Sequence, residues 1–179
     1  KEYDRSRETN QSEKYPFCEL AERNRLCQNE IMSSSVRQNV EAGLPARDHL
    51  QLELTLQDGE ILEARLEVIG CMEILKLAEK WRPLLTGKID KVPIPVGRDH
   101  ASILMRELIL KAQGRWKYPY EEEELCHCRR IPTAKVDAAI ISGCHTLEAI
   151  RAATSANTSC GTCRPDVESV LEYRLKAGV

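Results

Sequence analysis

Leu50, Leu52, Leu54 and Leu56 alternate with Gln51, Glu53 and Thr55, so every leucine falls on one face of a strand while the other face stays polar. Asp58-Gly59 supplies a turn. Beyond it Leu62, Ala64, Leu66 and Val68 alternate with charged residues, which predicts an antiparallel hairpin with one apolar face. The period then lengthens: Met72, Ile74, Leu75, Leu77, Ala78 and Trp81 give a helical stripe that ends before Pro83, and a second helix is expected over 99–113. Helices that follow an amphipathic hairpin cover its apolar face, so an α+β unit is expected. Between them, Pro93 and Pro95 lack the amide donor a helix requires and favour an extended connection.

The flanks are read by the same rules. Residues 1–14 are almost wholly polar and form an expected disordered lead-in, whereas 15–40 carry a weak helical pattern through Leu20, Ala21, Leu26 and Cys27. Residues 114–125, with Pro119 and the acidic run Glu121 to Glu124, are expected to be a solvated linker. After it come three short helices, over 133–142, 146–154 and 165–177, with Thr133 and Thr146 as N-caps and Pro165 in a first turn. The chain thus divides into a lead-in (1–14), an α+β domain (15–113), a linker (114–125) and a small all-helical domain (126–179). About 50 residues make an insecure core, and a bound metal centre would staple it.

Composition narrows the function classes. With 42% hydrophobic and 30% charged residues the chain is globular, and a net charge of -2 argues against general affinity for nucleic acid. No apolar run approaches the ~20 residues that span a bilayer, and no charged-then-apolar leader opens the chain, so a cytoplasmic protein with no membrane partner is expected. No Ser/His/Asp arrangement, phosphate loop or zinc-protease motif points to an enzyme.

Cysteine supplies the chemistry. Of eight cysteines, four form two tight pairs, Cys126-His127-Cys128 and Cys160-Gly161-Thr162-Cys163, separated by the 31 residues 129–159. A disulfide framework scatters its half-cystines, while pairs this close place two sulfurs on one metal centre. Four thiolates suit a 2Fe-2S cluster or a structural zinc. Most zinc sites use C-x2-C twice, and Gly161 lets backbone amides approach sulfur. Cys18 and Cys27 match no metal spacing and read as idle thiols. Cys144-His145 falls in a helix-helix turn and reads as structural. His127 is expected to face solvent, and Arg129 and Arg130 to balance thiolate charge or guide an acidic partner.

Residues 125–173 resemble the bacterioferritin-associated ferredoxin-like 2Fe-2S domain, which also forms the middle segment of NifU-like assembly proteins. The likeness rests on the two cysteine pairs and on the caps at Thr133 and Thr146. It implies a helix-turn-helix arrangement that holds a 2Fe-2S cluster near the surface through Cys126, Cys128, Cys160 and Cys163. Residues 43–113 resemble a degenerate scaffold of the NifU or IscU type. Gly43-Leu44-Pro45-Ala46 with Asp48, Gly70-Cys71, Thr86-Gly87-Lys88 and His100-Ala101-Ser102 carry that likeness. Such scaffolds hold a transient cluster with three cysteines plus an aspartate or histidine. Here Arg47 and Ala101 stand where cysteines would, leaving Asp48, Cys71 and His100 as a second ligand set. Arginine cannot ligate iron, and its charge repels a cation. Cys71 is expected to be buried at a helix start.

The expected function is therefore a 2Fe-2S electron-transfer or docking module with a protein partner, either a redox enzyme or the iron-sulfur machinery. An assembly factor using Cys71 and a zinc-stabilised interaction module are the alternatives.

Overall fold

A computed structural model of the chain describes residues 35–176. The lead-in, Cys18, Cys27 and the helical stretch expected before residue 35 lie outside the described residues. Three long antiparallel strands build the sheet, β1 (Val36–Leu44), β2 (Asp48–Gln57) and β3 (Glu60–Ile69), with a two-residue β4 (Gly87–Lys88) added beside β3. β2 is central, so Leu52 pairs with Val40 on one side and Leu66 on the other. Leu50, Leu52 and Leu54 are buried, as their alternation requires, and each contributes about 1.5–3 kcal/mol. In the β2–β3 turn both Asp58 and Gly59 have positive φ, the signature of a primed hairpin turn.

β1 corrects the helix expected across 15–40, because Val36 to Val40 are strand. Val40, Ala42 and Leu44 recur at every second position and lie opposite Leu52, Leu50 and Asp48. That ladder outweighs a weak helical propensity, as tertiary pairing commonly does.

Two helices cover the leucine face. α1 (Met72–Trp81) buries Ile74 and Ala78, four apart on one side, and stops where Arg82 begins a 3-10 turn containing Pro83. α2 (His100–Ala112) starts at Asp99, whose Oδ1 accepts the Ser102 amide at 2.9 Å and whose Oδ2 accepts the Ser102 hydroxyl at 2.7 Å. Every residue of α2 from Ala101 to Leu110 is buried. A helix buried on every face is enclosed by other layers, and its polar members Ser102, Arg106 and Glu107 must find partners there. The extended connection between α1 and α2 is tied down through its proline carbonyls: Trp81 donates to Pro93 and Arg106 to Pro95, each at 3.1 Å.

The C-terminal part holds β5 (Glu124–Cys126), β6 (Ile131–Pro132), α3 (Thr133–Ile141), α4 (Leu147–Thr154) and α5 (Arg164–Leu175). The paired β5 and β6 correct the all-helical expectation. They cost only five residues of strand, yet they fix the turn that carries Cys126 and Cys128. Thr133 is likewise no cap. Pro132 holds that position, and the Thr133 hydroxyl and amide donate instead to the carbonyls of Glu122 and Glu123, at 2.6 and 2.7 Å, clamping the acidic run. Thr146 does cap α4, accepting the Ala149 amide at 3.1 Å, and Pro165 sits in the first turn of α5.

The described residues fall in one compact unit with two hydrophobic clusters. One lies between sheet, α1 and α2, and the other gathers Leu125, Val136, Ile140, Ile150, Val167 and Val170. The seam between them is ionic. Arg174 of α5 is buried and binds Glu107 of α2 at 2.6 Å and both carboxylate oxygens of Asp137 of α3. Trp116 and Tyr118 lie 4.9 and 5.5 Å from its guanidinium carbon, and Arg106 donates to the Arg174 carbonyl at 2.8 Å. Burial alone would lower the pKa of Arg174, but the Asp137 and Glu107 carboxylates reverse this and raise it.

Candidate metal centre

The two cysteine pairs arrive from opposite ends of the C-terminal part. Cys126 ends β5 and Cys128 lies in the turn toward β6, while Cys160 lies in the α4–α5 loop and Cys163 is the residue that precedes α5. All four line one cleft of about 250 Å³, with Leu125, Thr162 and Asp166. Cys126 Sγ and Cys128 Sγ are 3.7 Å apart. Cys160 interacts electrostatically with Cys128, and Cys163 with Cys126. Cys126 and Cys163 are buried, whereas Cys128 and Cys160 face solvent.

The loop holds the thiols in different electrostatic states. The Thr162 hydroxyl and amide both donate to Cys160, and with the Cys128 contact they lower its pKa to about 7. Burial pushes Cys163 up to about 11. Burial also acts to raise Cys126, but hydrogen bonds from the Asn157 amide, Cys163, Cys128 and the Arg129 amide outweigh it, and its pKa falls. Gly161 has φ +78°, a conformation that lets the chain double back between Cys160 and Cys163.

Asn157 was not legible as a site residue. It is buried, has φ +55°, and its amide donates to both Cys126 and Cys163. Ser155, at φ +67°, ends α4 just before it. The signal was the run Ser155-Ala156-Asn157-Thr158-Ser159, whose small polar residues tolerate left-handed backbone. His127 faces solvent with Nε2 3.2 Å from Glu122, and Arg129 and Arg130 are exposed. Cys144 and His145 sit in the α3–α4 turn, away from the cleft lining.

A second group assembles at the sheet. Asp48 opens β2, Cys71 is the residue before α1, and His100 is the first residue of α2, and their ligand atoms all lie within 4.8 Å of one another. Cys71 Sγ is 3.0 Å from His100 Nε2, and Asp48 Oδ1 accepts the Cys71 amide at 3.0 Å. Cys71 is only partly buried, which corrects the expectation of a buried thiol. Asp48 by contrast is 2% exposed, and its Oδ2 accepts no hydrogen bond. Gly70 makes the arrangement fit, since a Cβ there would meet Asp48 Oδ1 at 2.4 Å.

Residues 125–173 match the family model described as BFD-like 2Fe-2S binding domain. The cofactor of this segment is a 2Fe-2S cluster. Over 60 residues the chain is 40% identical to the Nitrite reductase (NADH) large subunit of Escherichia coli (strain K12). The aligned stretch is 33% of this chain and 7% of that subunit, so the chain spans a small fraction of the curated relative it matches. No solved structure matches the chain. The scaffold resemblance of 43–113 lies outside the family match. Among the described residues no helix is long and apolar enough to cross a membrane.

Proposed function

We propose that this chain, whose residues 125–173 are a 2Fe-2S binding domain, passes single electrons within a larger redox assembly and is not an enzyme in its own right. The observation that carries the reading is the cleft lined by Cys126, Cys128, Cys160 and Cys163, with two of the four sulfurs exposed. The donor set fits the cluster. Four thiols on one cleft, within the residues that match a 2Fe-2S binding domain, supply the ligand set of that cluster. When bound, the cluster supplies one-electron chemistry. The chain's own part is to hold the four sulfurs, donate the Asn157 amide hydrogen to them, and present the Cys128 and Cys160 edge to a protein partner. The likeness to an NADH nitrite reductase subunit suggests a reductase as that partner.

The test is iron, zinc and acid-labile sulfide content with the visible spectrum of anaerobically purified protein. Two irons and two sulfides per chain are expected, with a reddish-brown colour bleached by dithionite and lost in Cys126→Ser. Colourless protein holding one zinc would sink this reading in favour of a zinc-stabilised interaction module.

A second reading, an iron-sulfur assembly factor of the degenerate NifU or IscU type, is favoured by the meeting of Asp48, Cys71 and His100. His100 Nδ1 lies 3.4 Å from Glu73, a carboxylate that leaves Nε2 facing the thiol, as a second partner does for metal-ligating histidines. Metal in excess of the cluster, lost in Cys71→Ser, is its expected mark.

A further inference from the structure

The second ligand set is incomplete in a specific way. Asp48, Cys71 and His100 offer three donors, and a zinc-like divalent cation bound by three protein ligands keeps one position open. The charges around that position can be counted. The Asp48 carboxylate and a metal-bound Cys71 thiolate cancel a divalent cation, and neutral His100 adds nothing.

Arg47 then tips the balance. Its Nε lies 3.4 Å from Asp48 Oδ2, the buried oxygen that accepts no hydrogen bond, and its side chain is 53% exposed. It is held there by the tight β1–β2 turn, where its amide donates to the Leu44 carbonyl at 3.1 Å and Ala46 takes φ +58°, a left-handed conformation unfavourable for alanine. With Arg47 counted, the filled site would carry one net positive charge, and that charge sits on the guanidinium beside Asp48. Arg47 and Asp48 also line an open cavity of about 600 Å³, whose other charged groups, Lys111 with Glu41 and Glu107, leave Arg47 as its cation nearest Asp48.

We propose that this site binds a divalent cation together with an exogenous monoanion as fourth ligand, and that Arg47 selects the anion. The inference rests on the second reading above, that Asp48, Cys71 and His100 hold a metal. Arg47 weakens the cation and strengthens the anion, so its removal moves the two affinities in opposite directions. No role in packing alone produces that pair of changes.

The experiment uses the full chain with its cluster filled, zinc as the metal and bromide as the anion, read by zinc-edge X-ray absorption, which is blind to the cluster iron. Zinc with a single sulfur neighbour is expected, and bromide scattering should appear on titration. In Arg47→Ala, zinc should be held at least as tightly, while bromide binds about tenfold more weakly, the loss of one charge-assisted contact. Zinc bound with no bromide, or with equal bromide affinity in the variant, overturns the role of Arg47 and leaves the metal site standing. Zinc that is not retained, or is retained equally in Cys71→Ser, overturns the metal site and this inference with it.

Discussion

Cys160 and Cys163 stand three residues apart and ionise in opposite directions. Thr162 and Cys128 bring Cys160 down to about 7, and burial takes Cys163 up to about 11. At pH 8, between those values, metal-free protein therefore carries a thiolate at Cys160 and a thiol at Cys163. Alkylation followed by peptide mass spectrometry should label Cys160 first and Cys163 last, with the Cys160 rate rising through about pH 7. Equal rates at the two sites would contradict this ordering. At the other centre, Gly70→Ala puts a methyl against Asp48 Oδ1 and drives the carboxylate off the Cys71 amide. Metal bound in excess of the cluster should be lost in that variant while iron and sulfide at the four cysteines stay unchanged.

Elements report where local chemistry decides the outcome. The Thr146 cap is a single local hydrogen bond, and Thr146→Ala should cost about 1 kcal/mol in denaturant unfolding, with activity-independent loss of helix α4 amide protection. The hairpin, α1, α2 and α4 were legible because each shows its period and its punctuation inside one window of sequence. β1 was not, since Val40, Ala42 and Leu44 become a strand only by pairing with residues 48–52, which a local reading of 15–40 does not include. Thr133 misled for a similar reason. Its hydroxyl donates to the Glu122 carbonyl, eleven residues back, a contact outside the helix it was read with. The cluster cysteines were plain from spacing alone, whereas Asn157 acts through its backbone amide, which any residue type possesses. The pairing of Asp48, Cys71 and His100 came from resemblance and not from spacing, because 48, 71 and 100 share no local register.

At the scale of the molecule, the seam at Arg174 decides how the parts behave together. The Arg106-Glu107 pair in the middle of a mostly apolar helix was the visible sign that this helix faces a second layer. Removing one partner from a buried ion pair leaves the other charge stranded, so Arg174→Met should cost about 3–5 kcal/mol. One cooperative transition, followed both by Trp fluorescence and by cluster absorbance, is expected in the parent protein. In the variant the two signals should separate, because Glu107 and Asp137 no longer share a counter-charge.

That seam also sets the terms on which the iron-binding segment can be moved between proteins. Cut within 114–125 and grafted to a new host, it would carry away an arginine whose acid at 107 and whose carbonyl donor at 106 stayed behind. A working chimaera needs a host helix that offers both, an acid and an arginine side by side on a buried turn. The segment is thus portable only as a lock taken together with its key.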